Sequence, residues 1–238
     1  MRRVVIVFSL LFMLLCHTKA KIFLVSVGIS DYPGTDSDLR LPANDARAIR
    51  YIYQKNAVSN SILLLNSDAS KANILSNLRN VFSKASEDDI IIFFFSGHGT
   101  KGAFCGYDGN IPYSEIRSAM ASSKAHNKMI FADACFSGKI RQGRRSDAEQ
   151  AFKNYNILLF MSSRPNEISI ERRDMKNGFF TSYLQKGLRG GADANRDRII
   201  TARELFNYVS VGVKNISNDK QHPVMWGKFS DNMPVMKW

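Results

Sequence analysis

Cys135 and His98 are the two residues whose type and placement suggest covalent chemistry. Cys135 follows the apolar run Met129-Ile-Phe-Ala132, in Asp133-Ala-Cys-Phe-Ser-Gly138, and His98 follows the longer run Ile90-Ile-Ile-Phe-Phe-Phe95, in Ser96-Gly-His-Gly99. Short apolar runs that stop at polar and turn-forming residues read as buried strands. Residues just past such strands stand at the rim of an open α/β sheet, outside the carboxyl ends of the strands, where ligands bind. If the two strands are parallel and adjacent, His98 and Cys135 share that rim. An imidazole beside a thiol favours the thiolate, which is the nucleophilic form, and returns a proton to the leaving group. The expected chemistry is attack on a carbonyl carbon, with Cys135 as nucleophile and His98 as general acid and base.

Gly97-His-Gly-Thr-Lys-Gly102 is also a literal G-x-G-x-x-G. As a dinucleotide phosphate loop it would have to open a helix within a βαβ unit. The segment that follows, Ala103-Phe-Cys-Gly-Tyr-Asp-Gly109, cannot propagate one. The glycines fit tight backbone turns that bring N–H groups to a reacting carbonyl.

The elements that must hold this pair follow from the rest of the 238 residues, a length that suits one domain with a substantial core. Residues 1–20 stand apart. Arg2 and Arg3 precede the apolar stretch Val4 to Leu15, and Thr18-Lys19-Ala20 ends on a small residue, the build of a secretory signal peptide. Twelve or so apolar residues fall short of the roughly 20 needed to span a bilayer. The protein is expected to be secreted or periplasmic, with residues 21–238 as the functional domain and no membrane attachment once the leader is removed. The formal charge of +12 is scattered, apart from a cluster between Lys139 and Arg145, and no nucleic-acid motif accompanies it. Without the leader the chain keeps two cysteines, Cys105 and Cys135, so no disulfide framework supports it.

Taken in order, strands are expected over 21–28, 61–65, the run ending at His98, the run ending at Cys135, and 156–161. Helices are expected from a cap at Asn44 to Lys55, and over 70–85, 113–122, 178–187 and 201–213. Lys101 to Ile111 suggests a hairpin, Lys139 to Glu149 has no structural pattern, and Val224 to Val235 reads as one edge strand or tail. This alternation implies an α/β fold, with a mainly parallel sheet covered by helices on both faces.

Ser96-Gly-His-Gly99 together with Asp133-Ala-Cys-Phe-Ser-Gly138 resembles the caspase-type cysteine peptidases, in particular the metacaspase and bacterial orthocaspase branch. The likeness extends to Gly28-Ile-Ser-Asp-Tyr32, Leu41-Pro-Ala-Asn-Asp-Ala46, Ser162-Ser163 with Glu167 and Glu171, and Gly178-Phe-Phe-Thr181, nearly the whole of 21–238. The resemblance implies a caspase-like three-layer sandwich built on a six-stranded sheet. It implies a peptidase in which Cys135 attacks the peptide carbonyl, His98 serves as acid and base, and the backbone N–H groups of Gly99 and Cys135 form the oxyanion hole. The rival is a non-catalytic caspase-fold binding module, against which the intact pair argues.

Specificity is carried over on three positions. Asp133 stands where caspases that cut after Asp have Gln; metacaspases have Asp there. Asp45 and Ser96 match their other pocket residues. Two carboxylates at a pocket floor favour Arg, then Lys, because a guanidinium binds a carboxylate bidentately. The expected partners are therefore peptides or proteins with basic residues. Asp45 also reads as a charge at a helix start and Asp133 as a structural residue. Pro42 stands where metacaspases often carry a pocket cysteine.

No cofactor is required by this chemistry. The resemblance implies calcium activation through acids after the histidine and after the cysteine, but Ile111-Pro-Tyr-Ser-Glu115 and Ile140-Arg-Gln-Gly-Arg144 lack those acids, so that site is not expected. Asp193, Asn195, Asp197, Ile199 and Glu204 repeat the spacing of an EF-hand loop, with Arg198 where the turn wants Gly. Calcium there and a polar turn capping the next helix both remain open. The basic stretch 139–149 is expected to be an exposed loop, with self-cleavage at Arg144 or Arg145 or none.

Overall fold

The computed structural model describes residues 20–34, 36–56, 59–136, 147–164, 167 and 174–237, with the backbone alone at Asn56, Ser59, Cys135 and Phe136. The expected leader, Gly138, the linker carrying Arg144 and Arg145, and Glu171 lie outside these residues. Among the described residues no helix is long and apolar enough to cross a membrane.

The apolar runs become the middle of a sheet because they can be buried on both faces. In chain order the elements are β1 (Ile22–Gly28), α1 (Pro42–Asn56), β2 (Ser59–Leu65), α2 (Lys71–Phe82), β3 (Ile90–Thr100), β4 (Ala103–Cys105), β5 (Asn110–Pro112), α3 (Tyr113–Ala121), β6 (Asn127–Phe136), α4 (Asp147–Phe152), β7 (Leu158–Met161), α5 (Phe179–Lys186), β8 (Ile199–Thr201), α6 (Ala202–Ile216), β9 (Val224–Trp226) and β10 (Pro234–Lys237). The main sheet runs β2-β1-β3-β6-β7-β9. Its first five strands are parallel, and β9 closes the edge antiparallel to β7. The expected six-stranded, mainly parallel sheet is therefore present, with the β4–β5 hairpin folded onto the end of β3.

Successive strand residues point to opposite faces, which sorts the run Phe93-Phe94-Phe95 between two cores. Phe93 and Phe95 pack with Ile74, Leu78 and Phe82 of α2, Ile116 and Met120 of α3 and Phe152 of α4. Phe94 packs on the other side, with Ile49 and Tyr53 of α1, Phe180 and Leu184 of α5 and Val209 of α6. The result is a three-layer sandwich. Burying each of these phenylalanines contributes about 1.5–3 kcal/mol, and their position in the central strand fixes β3 against its neighbours.

Several sequence expectations need correction. Helix α1 is not capped by Asn44: it starts at Pro42, whose missing N–H costs nothing at the first helical position, and the Ser30 hydroxyl accepts from the Ala43 N–H at 3.0 Å. Strands β3 and β6 do not stop where their apolar runs stop. They continue through Thr100 and Phe136, because the polar ends still pair with each other and with β4. The last part of the stretch expected to be structureless, from Asp147, is the start of α4, held by buried Ala148 and Phe152. The tail is two strands in two sheets. Gly227, at φ 124 with the Ile157 carbonyl oxygen occupying the space a Cβ would need, turns the chain after β9. Strand β10 then pairs with β8, and its Val235 carbonyl accepts from the buried Tyr53 hydroxyl of α1 at 3.2 Å.

Candidate active site

The site is set by one pairing. Strands β3 and β6 run parallel in a register that puts Ser96 opposite Asp133, Gly97 opposite Ala134, His98 opposite Cys135 and Gly99 opposite Phe136. Neighbouring strands lie about 4.8 Å apart, so His98 and the Cys135 backbone are side by side at the end of the sheet, as the sequence implied. Ser96 and Asp133 stand one pleat deeper on the same two strands. Gly99 lies between Phe136 of β6 and Phe104 of β4.

The half-buried His98 is held by groups that no sequence pattern pointed to. Its Nε2 lies 2.7 Å from the Ser37 carbonyl in the loop between β1 and α1. A carbonyl only accepts, so Nε2 carries the hydrogen and Nδ1 is left to exchange a proton. The Tyr32 ring leans on the imidazole, with centroids 4.8 Å apart at 45°. Its hydroxyl accepts from the His98 backbone N–H at 2.9 Å and donates to the Cys105 carbonyl at 3.2 Å. Gly97 permits this approach: a Cβ there would lie 2.6 Å from the Tyr32 oxygen. Cys105 itself is a free, half-buried thiol, which burial pushes above the ordinary cysteine range.

The acid pair has a different setting. Asp45 and Asp133 are 2% and 7% exposed, and both carboxylates meet the N-terminus of α5. Asp45 Oδ1 accepts from Asn177 Nδ2 at 2.8 Å and from the Gly178 N–H at 3.1 Å, and its Oδ2 accepts from the Ser96 hydroxyl at 2.9 Å. Asp133 Oδ2 accepts from the Thr181 hydroxyl at 2.8 Å and its N–H at 3.2 Å. Asp45 sits in the first turn of α1, but its carboxylate serves the α5 terminus, where unpaired N–H groups and the helix dipole favour negative charge. Burial, and then repulsion by Asp133, hold its carboxyl well above the usual range, against the hydrogen bonds from Asn177, Ser96 and Gly178. Asn177 and Thr181 were missed as part of this group. Their only signal was the place of Gly178-Phe-Phe-Thr181 at a helix start.

Asp193, Asn195 and Asp197 lie in the turn between α5 and β8, Ile199 opens β8, and Glu204 stands in the first turn of α6. Arg198 adopts the left-handed φ of 67° that Gly would usually supply. The Asp193 Oδ2 accepts from the Arg198 N–H at 3.1 Å, and Asp197 accepts from Asn195 Nδ2 at 2.9 Å and from the Ile199 N–H at 2.8 Å. Glu204 accepts from the Thr201 N–H and hydroxyl, at 3.0 and 2.8 Å, as the capping box of α6. Among the described residues no three His, Cys, Asp or Glu side chains gather closely enough to hold a metal ion. Glu167, in the segment after β7, accepts at 2.9 Å from the half-buried His222.

The family model described as the caspase domain matches residues 23–233. The solved structure of protein GSU0716 from Geobacter sulfurreducens superposes with a TM-score of 0.70 at 16% identity, covering 92% of this chain and 97% of its own. At that identity the likeness is one of fold. No curated protein matches the chain in sequence.

Proposed function

The chain belongs to the caspase-domain family of peptidases, and from that premise we propose that it is a cysteine endopeptidase cutting peptide bonds after Arg or Lys. The observation that carries this reading is the parallel register of His98 against Cys135 at the end of β3 and β6. In the proposed cycle the Cys135 thiolate attacks the peptide carbonyl. The backbone N–H groups of Gly99 and Cys135 receive the developing oxyanion, where one donor is typically worth about 10²–10³ in rate. His98, with Nε2–H bound to Ser37, gives the proton on Nδ1 to the leaving amine. It then takes a proton from the water that releases the acyl group. No metal or cofactor enters these steps.

Asp45, Asp133 and Ser96 supply the preference for a basic side chain. Two buried carboxylates at a pocket floor suit a guanidinium, which binds a carboxylate bidentately. We also hold residues 1–20 to be an export leader, and Arg144 or Arg145 to be a self-cleavage position in a linker that follows the nucleophile. Its partners are peptide or protein substrates with basic residues, not nucleic acid or membrane.

The test is a peptide library varied at the residue before the cut, assayed with wild type and with Cys135→Ala. Cleavage after Arg and Lys by wild type alone is expected. Preference for Asp would overturn the pocket assignment. Equal turnover by Cys135→Ala would overturn the mechanism, and no turnover by wild type would leave the binding-module alternative.

A further inference from the structure

Tyr32 is placed to control how His98 presents its ring. It lies in the loop after β1, outside the sheet, yet is only 7% exposed. Both bonds of its hydroxyl leave its own segment, one to the His98 N–H at 2.9 Å and one to the Cys105 carbonyl of β4 at 3.2 Å. The ring supports the imidazole, at 4.8 Å between centroids. Its own N–H donates to Asp38 Oδ1 at 3.1 Å, next to Ser37, whose carbonyl takes the His98 Nε2–H at 2.7 Å. One side chain therefore locates the backbone of His98, braces its ring, and belongs to the loop that fixes its tautomer. Burial pushes the phenol above the ordinary tyrosine value, so the hydroxyl stays neutral and bridges without trading protons.

We propose that Tyr32 is a positioning residue for the peptidase reaction, locking the His98 imidazole in the orientation that keeps Nε2–H on the Ser37 carbonyl and leaves Nδ1 to exchange a proton. This rests on the peptidase reading but is tested apart from it. In full-length protein carrying ¹⁵N-histidine, two-bond proton–nitrogen correlation reads the tautomer of His98, assigned with the His98→Ala spectrum. Wild type should show the single Nε2–H form. Tyr32→Phe keeps the ring and removes the bridge, and should shift the His98 resonances. Tyr32→Leu removes both, and should give a mixture of tautomers. Because a misplacement of about 1 Å can cost about 10²-fold, kcat per titrated active site should fall about tenfold in Tyr32→Phe and further in Tyr32→Leu, with KM within about twofold. A merely structural tyrosine would lower the melting temperature and leave the tautomer alone. A His98 spectrum identical to wild type in Tyr32→Leu overturns the inference whatever the kinetics. If that variant does not fold, Tyr32→Phe decides by the same criterion. If wild type cleaves no peptide, the peptidase reading fails and the spectra still decide the role of Tyr32.

Discussion

Two pairs of residues meet where β3 and β6 end, the second built from Asp133 of β6 and Asp45 of α1, and they are held in opposite ways. His98 and Cys135 stand at the end of β3 and β6, with His98 half-exposed and kept in place from the side by a loop tyrosine and a loop carbonyl. Asp45 and Asp133 are buried one layer deeper, with five hydrogen bonds from Ser96, Asn177, Gly178 and Thr181 converging on them. A reacting group needs one nitrogen left open, so its neighbours orient it without saturating it. A recognition group needs its charge fixed in place, so its neighbours saturate it and the α5 dipole favours the negative form. Burial, and then Asp133, work against that charge and hold the Asp45 carboxyl well above the usual range.

If the two pairs divide the work in this way, their variants should separate cleanly. The largest effect is expected at the rim. His98→Ala should lower kcat on the order of 10²–10⁴-fold, as loss of a catalytic acid and base typically does, with KM for an Arg peptide nearly unchanged in steady-state assays. A kcat within about tenfold of wild type would remove His98 from the chemistry. Next comes the acid pair. Asp133→Asn leaves a hydrogen-bonding group of similar size but halves the charge available to a basic side chain. Losing one partner of a desolvated charge pair costs about 2–5 kcal/mol, so KM for Arg peptides should rise at least about 30-fold, and kcat should hold. A fall in kcat with KM unmoved would mean the two pairs are not separable.

The smallest effect is on stability. The Asp45 carboxyl is raised above its unfolded value, so the folded protein binds that proton more tightly than the unfolded chain does. The resulting stabilisation is complete below the ordinary carboxylate value, about 4, and is lost as pH rises through the folded value. Asp45→Asn cannot lose that proton. Without substrate its melting temperature should therefore fall less than that of wild type on going from acid to neutral pH, measured by calorimetry across the range. Parallel curves would show that the helix terminus and hydrogen bonds fully compensate the burial.

The apolar runs made the sheet readable in sequence, because only a strand buried on both faces needs Ile90 to Phe95 to be apolar throughout. The same runs gave the neighbourhood of His98 and Cys135, while Ser96 and Asp133 were reached only through the resemblance to metacaspases. What was unreadable has a common cause. The Ser37 group that holds His98 is a backbone carbonyl, which every residue possesses. Asn177 reaches Asp45 across 132 residues of sequence, and nothing local to either announces the meeting. Tyr32 lies in a stretch whose Pro33, Gly34 and acidic residues indicate only a turn. Helix α4 is six residues long, too short for a helical period to show itself.

The bond between Tyr53 and Val235 joins residues 182 positions apart, and β10 is the last strand to be laid down. A chain that is made or threaded through a membrane from its N-terminus has α1, and with it Asp45, long before it has the strand that covers that layer. Contacts of such wide sequence separation form late and slowly. The layer that carries Asp45 therefore closes only after β10 has emerged. If the chain is the peptidase proposed, one made only as far as β6 would carry Cys135 on an unfinished scaffold, and proteolysis would wait for β10.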